Sequence, residues 1–137
     1  MRAKRIALII PAGLREPIRA ERINTALVTR QTLVEGNVEA ITGKDWHVYL
    51  NDEADFIPLP LNPRAEVLIR EAGLPLGETV SGTAVFLGHE DNGDDADAPA
   101  HLLQLAERLF CTALAAEQQG KIRAAKPFSM AAPGAKV

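Results

Sequence analysis

Aromatic side chains are scarce in this chain and make up 4% of its 137 residues. Hydrophobic residues as a whole reach 47% and charged residues 24%, so the composition is that of a globular domain whose core is filled by Leu, Ile, Val and Ala. Cysteine is almost absent. Cys111 is the only one, which excludes an internal disulfide, and its neighbours Leu109, Phe110 and Leu114 predict a packed thiol rather than a reactive one.

Long hydrophobic runs are also missing. No stretch approaches the roughly 20 apolar residues that a membrane-spanning helix needs. The apolar run at residues 6–10 is too short for an export signal and stops at Pro11. We therefore expect a cytoplasmic protein with no membrane partner.

The chain also lacks an excess of positive charge. The net charge is −3 and the sequence pI is about 5.6. Binding to duplex nucleic acid needs a basic surface that releases counterions, so such a partner is not expected. Basic residues cluster early in the chain and acidic residues between positions 90 and 97. We interpret both groups as solvated surface on either side of a core.

The order of hydrophobic patterns predicts a single α+β domain over residues 1–119 and a flexible tail at 120–137, which is rich in Ala, Pro and Gly. We expect a small mixed or antiparallel sheet of about four to five strands, packed against two helices, plus a C-terminal helix. The strands are expected at residues 4–10, 14–20, 37–51 (as a hairpin) and 78–88, and the helices at about 21–36, 62–73 and 99–119.

The hairpin has two distinct faces. Trp46, Val48 and Leu50 alternate along its second strand and are expected on the core side. His47 and Tyr49 then fall on the other side. We expect this side to be solvated, with a docking surface as the alternative.

The stretch that begins "IPLPLNPRA" marks the start of a helix. Asn62 is a favoured N-cap residue, since its side-chain oxygen can accept a hydrogen bond from a free N–H of the first turn. Pro63 suits the first helical position. The sequence gives no structural reason for Arg64 or for the acidic residues of the preceding "NDEAD" segment.

These segments resemble the domain-of-unknown-function family 3846, whose members are small proteins of actinobacteriophages, actinobacteria and mobile elements. Asn51 matches the Asn at a strand end in the family pattern, followed by Asp52 or Glu53 as its acid. The glycine expected next is replaced by Ala54 and Asp55. The middle and last elements of the pattern are matched by Asn62, Ala65, Gly82 and Gly88. The resemblance covers roughly residues 4–95 and implies a phage or mobile-element origin.

Motifs for catalysis or metal binding are not evident. If Gly93 were the invariant glycine of an EF-hand, Gly88 and Pro99 would fall at ligand positions that neither can fill, so we expect the acidic loop to be solvated. His89 and His101 are too few for a zinc site. Ser81 and Ser129 lack a nucleophile elbow, and no phosphate loop is present. No cofactor is expected.

Two functions remain as hypotheses. The first is a non-catalytic accessory protein of a phage or mobile element that binds a host or phage macromolecule. The alternative is a small-ligand, nucleotide-like binding protein that uses the loop at residues 51–55 together with Arg64. Loops often carry function, so under either hypothesis we look for the binding residues in and beside this loop. The candidates are Asn51, Asp52, Glu53, Asn62 and Arg64.

Overall fold

The computed structural model describes residues 4–53 and 58–114. It confirms the α+β class, with one antiparallel sheet and three helices. The strands are β1 (Lys4–Ile10), β2 (Arg19–Asn24), β3 (Val38–Thr42), β4 (Trp46–Asn51), β5 (Ala84–His89) and β6 (Asp95–Ala96). The helices are α1 (Leu27–Val34), α2 (Pro63–Glu71) and α3 (Ala100–Phe110).

The strands are ordered β2-β1-β5-β4-β3, and the short β6 pairs with the end of β5. Every pairing is antiparallel. Strands β1 and β5 lie in the interior of the sheet, which explains why the sequences of both are nearly continuous apolar runs. Strands β2 and β3 form its two outer edges.

The sheet buries both faces, because successive side chains of a strand point to opposite sides. Helices α2 and α3 cover one face, where Leu68 and Leu102 pack against Leu8, Val48 and Phe86. Helix α1 covers the other face, where Val34 packs against Ile9, Tyr49 and Val85. With two helices on one face and one on the other, the central strands are largely buried, whereas the edge strands β2 and β3 keep exposed residues.

The predicted hairpin is confirmed as β3 and β4, and Trp46, Val48 and Leu50 do face the α2–α3 side. The prediction that His47 and Tyr49 form a solvated face was wrong. Their side of the sheet lies on the α1 side, and the two residues are only 6% and 8% exposed. Strand alternation correctly placed them together but could not show what covers them.

The second strand lies later in the chain than predicted. Residues 14–17 are outside any strand, and β2 covers Arg19–Asn24. The sequence predicted a strand only as far as residue 20 and the start of a helix from about residue 21. Six residue pairs join β2 to β1, from Lys4 with Asn24 to Ile9 with Arg19. This pairing with β1 gives the backbone of residues 21–24, which the sequence had placed in a helix, its hydrogen-bond partners in a sheet. The helix itself begins only at Leu27.

Two other boundaries differ from the prediction. Strand β5 starts at Ala84 rather than near residue 78, and α3 ends at Phe110 within the described residues. Cys111, at the end of α3, adopts a left-handed backbone conformation with φ 53°. Its side chain is exposed, which corrects the expectation of a packed thiol. The predicted tail at 120–137 lies outside the described residues.

Within residues 4–53 and 58–114, no helix has both the length and the apolar character needed to cross a bilayer.

Candidate functional site

Asn51, at the end of β4, connects that strand to the end of α1. Its buried amide nitrogen donates to the carbonyl oxygens of Val34 at 3.0 Å and Glu35 at 3.2 Å. Its Oδ1 accepts a hydrogen bond from the N–H of Glu53 at 2.6 Å. The last carbonyls of a helix lack partners within the helix. Asn51 therefore caps the C-terminus of α1 from a neighbouring strand.

The approach of α1 to Asn51 depends on Gly36. A Cβ atom at this position would lie 2.6 Å from the Asn51 amide nitrogen, which is closer than real contacts allow. Asp52 is exposed, and its N–H closes the hairpin by donating to the carbonyl of Asn37 at 2.7 Å. Ala54 and Asp55, the other members of this loop, lie outside the described residues.

Asn62 is fully buried and confirms its predicted role as the N-cap of α2, with its Oδ1 accepting from the N–H of Ala65 at 3.1 Å. Its amide nitrogen does more than the sequence suggested. It donates to the carbonyl oxygens of Ile10 at 2.9 Å and Gly82 at 2.8 Å. One side chain thereby joins the end of β1, the start of α2 and the segment that leads into β5.

Arg64 fixes the loop between β1 and β2. One terminal nitrogen of its guanidinium lies 2.8–2.9 Å from the carbonyl oxygens of Pro11, Gly13 and Glu16 and donates to them. Partial burial lowers the pKa of Arg64, while the nearby charge of Glu16 acts in the opposite direction. Arg64, unexplained by the sequence, thus has a structural role.

Three of the five candidate residues, Asn51, Asp52 and Arg64, line cavities, and they line two different ones. Asn51 and Asp52 border a cavity of about 90 Å³, together with Glu39 and the segment at residues 78–81. Arg64 borders another of about 210 Å³, formed with the loop at residues 14–18 and the end of α3 at residues 110–112. Asn51 and Arg64 therefore do not converge on a common pocket in the described structure.

A cluster of polar side chains that the sequence did not single out lies on the α1 side of the sheet. We call it the Asp95 cluster, and it consists of Arg30, His47, Tyr49, His89 and Asp95. The Tyr49 hydroxyl donates to Asp95 Oδ1 at 2.7 Å, and His47 Nε2 lies 2.7 Å from the same oxygen. The rings of His47 and His89 stack with their centres 5.8 Å apart. The guanidinium of Arg30 lies 4.6 Å from the centre of the Tyr49 ring.

The cluster changes the pKa of two of its members. Burial, reinforced by the hydrogen bond to Asp95, raises the pKa of Tyr49 to about 12. Burial also acts to raise the pKa of Asp95. The hydrogen bonds with His47 and Tyr49, together with the electrostatic attraction of His47 and Arg30, outweigh burial, so the pKa of Asp95 lies below its ordinary value. The carboxylate is therefore held in its charged form by two donors from β4.

The Asp95 cluster fastens the acidic hairpin to the sheet. Asp95 lies in β6, directly after the turn at residues 90–94, and its own carbonyl accepts a hydrogen bond from Arg5 Nε at 3.2 Å. Arg5 also lies 3.6 Å from Glu90. The acidic loop was predicted to be solvated, but the side chain of Asp95 is largely withdrawn from water. The alternation of His47 and Tyr49 was visible in the sequence, whereas the fold of the hairpin that brings Asp95 to them was not.

A metal site is not formed by these residues. In the part of the chain that the structure describes, no group of three or more His, Cys, Asp or Glu side chains is arranged to hold a metal ion. The cluster has instead the chemistry of an internal tether, with a carboxylate between two donors.

The comparison with protein families matches residues 3–111 to the family described as Domain of unknown function (DUF3846). The chain belongs to the DUF3846 family. The match extends past the segments that carried the resemblance and includes all of α3. No curated protein and no solved structure matches the chain.

Proposed function

We propose that this DUF3846 protein is a non-catalytic accessory protein of an actinobacterial phage or mobile element, and that it acts in the host cytoplasm by binding a host or phage protein. Family membership supports the setting. The observation that carries the binding function is the outer face of α1, which exposes two large aliphatic side chains and little charge.

Two neighbouring side chains in the first turn of α1 are exposed to an unusual degree. Leu27 is 54% and Val28 67% exposed. Leu33 and Val34 pack against the sheet instead. The only charged residue within α1 is Arg30, and its guanidinium lies over the ring of Tyr49. The solvent side of the helix is therefore nearly free of charge.

An uncharged apolar helix face is a surface that another protein can cover. Single exposed hydrophobic residues are common on soluble proteins. Two adjacent ones on a helix with a single charged residue resemble the core of a protein–protein contact, where charged residues are depleted and apolar side chains are buried. Leu27 and Val28 contribute little to anchoring α1, so burying them against a partner would stabilise a complex without weakening the fold.

The use of the acid–base side chains also favours binding over catalysis. His47 is buried and hydrogen-bonded to Asp95, and Tyr49 donates to the same carboxylate. Groups that perform proton transfer must reach a substrate. These three side chains are engaged with one another and serve the attachment of the hairpin.

Site-specific photocrosslinking in host cells tests the proposal. A photoreactive amino acid at Val28 is expected to capture a discrete partner protein. The same probe at Gln104, which is exposed on α3 on the opposite side of the sheet, is the control and is expected to capture nothing specific. Adding Leu27→Asp to the Val28 probe should abolish the adduct, whereas adding Gln104→Asp should leave it unchanged.

The partner identified in this way is then measured with purified proteins. Leu27→Asp and Val28→Asp are expected to weaken binding at least tenfold, corresponding to about 1.4 kcal/mol, and Gln104→Asp to have no effect. Equal labelling from both probe positions, or binding that tolerates Leu27→Asp, would count against α1 as the contact surface.

The alternative, a nucleotide-like ligand held by residues 51–55 and Arg64, gains no support from the positions of these residues. Asn51 and Arg64 border separate cavities of about 90 and 210 Å³. Small-molecule sites typically have volumes of about 300–1,000 Å³. The hydrogen-bonding groups of Asn51 and Asn62 are also engaged with the backbone.

A further inference from the structure

The outer edge of β3 has the hydrogen-bonding pattern of a strand that pairs with a second copy of itself. In the β3–β4 ladder, the N–H of Gly43 donates to the carbonyl of Trp46, and at the other end the N–H of Asp52 donates to the carbonyl of Asn37. Opposite residues in an antiparallel ladder alternate between hydrogen-bonded and non-hydrogen-bonded pairs. Counting inward from both ends assigns Val38, Ala40 and Thr42 to the non-hydrogen-bonded pairs.

The backbone groups of these three residues therefore point away from β4, toward the open edge. In the described structure β3 is the last strand on its side of the sheet. Three N–H and three C=O groups are presented in a row, with Ala40 at the centre. Such a row is a template for the addition of another strand.

The two edges of the sheet differ in how they are protected. Charged side chains on an edge strand oppose the addition of another strand. Strand β2 carries three of them in six residues, namely Arg19, Glu21 and Arg22. Strand β3, with the sequence VEAIT, has only Glu39, which is half-buried, and it contains no proline or lysine. The β3 edge is the one left open to pairing.

We infer that two copies of the protein associate through β3, in an antiparallel pairing whose two-fold axis passes beside Ala40. In this register Ala40 faces Ala40 of the other copy, and Val38 faces Thr42. All three outward-pointing residues then form hydrogen-bonded pairs, which gives six hydrogen bonds across the axis. Glu39 lies opposite Ile41, so no like charges face each other directly.

The layers of the fold are compatible with this arrangement. The axis is perpendicular to the sheet, so the two α1 helices lie on the same side of the joined sheet. Helix α1 packs on β4 and β5 as well as β3, which sets it back from the edge. Ala40 and Thr42 are exposed beside it, and neither is large enough to obstruct a second strand. A five-residue pairing buries a small area, so we expect an association that weakens on dilution.

A charge-swap experiment at the axis tests the inference. Residue 40 of one copy faces residue 40 of the other, so Ala40→Lys and Ala40→Glu should each give a monomer in analytical ultracentrifugation, because like charges meet. An equimolar mixture of the two variants should form a heterodimer at least as stable as the wild-type dimer. Ala100→Lys, at the exposed start of α3, is the matched control and should sediment like the wild type.

Amide hydrogen exchange provides an independent measurement at the same residues. The amides of Val38, Ala40 and Thr42 should exchange slowly in the wild type and at least tenfold faster in Ala40→Lys. Those of Glu39 and Ile41 bond to β4 and should change little. A wild-type protein that stays monomeric at its highest soluble concentration would overturn the inference. So would a dimer that both single variants leave intact, or a mixture of variants that does not associate.

Discussion

The Tyr49 hydroxyl donates to Oδ1 of Asp95 over 2.7 Å, and this contact attaches the hairpin after β5 to a strand inside the sheet. The same oxygen is 2.7 Å from His47 Nε2, so the carboxylate lies between two groups of β4. A buried carboxylate with two such partners stabilises the fold only while it keeps its charge.

Removal of that charge should destabilise the protein. Asp95→Asn replaces an acceptor of two hydrogen bonds by an amide, and we expect a loss of about 1–3 kcal/mol in the free energy of unfolding, measured in urea. Asp94→Asn is the matched control. Asp94 is the exposed neighbour in the same turn, and its substitution should cost less than about 0.5 kcal/mol. Equal losses of stability at the two positions would show that the hydrogen bonds of Asp95 do not hold the hairpin to the sheet.

The effect of Asp95→Asn should depend on pH in a defined direction. The pKa of Asp95 is lowered in the folded protein, so its stabilising contribution is complete above the pKa of the unfolded chain. It is lost as the pH falls through the lower, folded value. The difference in stability between wild type and variant should therefore be constant near neutral pH and should narrow below about pH 4. If the difference in the free energy of unfolding between wild type and variant stays the same at acid pH, the charge of Asp95 does not stabilise the fold.

Tyr49 can be titrated directly, because it is the only tyrosine in the chain. Its pKa of about 12 in the folded protein predicts that the absorbance of the phenolate appears only near pH 12. Unfolding in urea should lower the midpoint of this titration to about pH 10. Since the folded pKa is raised, the neutral phenol favours folding below pH 10, and this contribution is lost as the pH rises toward 12. A midpoint near 10 while the near-UV circular dichroism is still native would refute the buried hydrogen bond.

Gly36 and Asn51 should behave as a coupled pair. Gly36→Ala introduces a Cβ atom 2.6 Å from the Asn51 amide nitrogen, and we expect a cost of about 1–3 kcal/mol from overpacking. Asn51→Ala leaves two carbonyls of α1 without their donor and should cost a similar amount. In the double variant the added methyl group has room, so the two costs should sum to more than the measured loss. Strict additivity in urea unfolding would rule out the contact.

Asn62 should be sensitive even to its closest isostere. Asn62→Asp keeps the oxygen that caps α2 but loses the donors to the carbonyls of Ile10 and Gly82. If the cap were its only role, this variant would be nearly neutral. Because both donors are lost in a fully buried site, we expect a loss of about 2 kcal/mol or more in thermal or urea unfolding. A free energy of unfolding within about 0.5 kcal/mol of the wild type would show that Asn62 stabilises the fold only as an N-cap.

Local chemistry in the sequence predicted those parts of the site that depend on neighbouring residues. The N-cap role of Asn62 follows from its position before Pro63 and from its own side chain, so it could be identified without a structure. The remaining partners of Asn62 could not, because Ile10 is 52 residues away along the chain. Arg64 is similar. Its carbonyl partners at Pro11 and Gly13 belong to a loop that only the packing of α2 brings close.

The sequence by itself determined the α+β class, the β3–β4 hairpin and the start of α2, since each depends on the period of apolar residues or on a cap within a few positions. Tertiary structure alone decided that residues 21–24 belong to a strand rather than to a helix, because pairing with β1 outweighed the helical spacing predicted from about residue 21. It also decided that His47 and Tyr49 are buried and that Asp95 meets them. Contacts between distant segments are fixed by which surfaces pack together, and no local pattern records that choice.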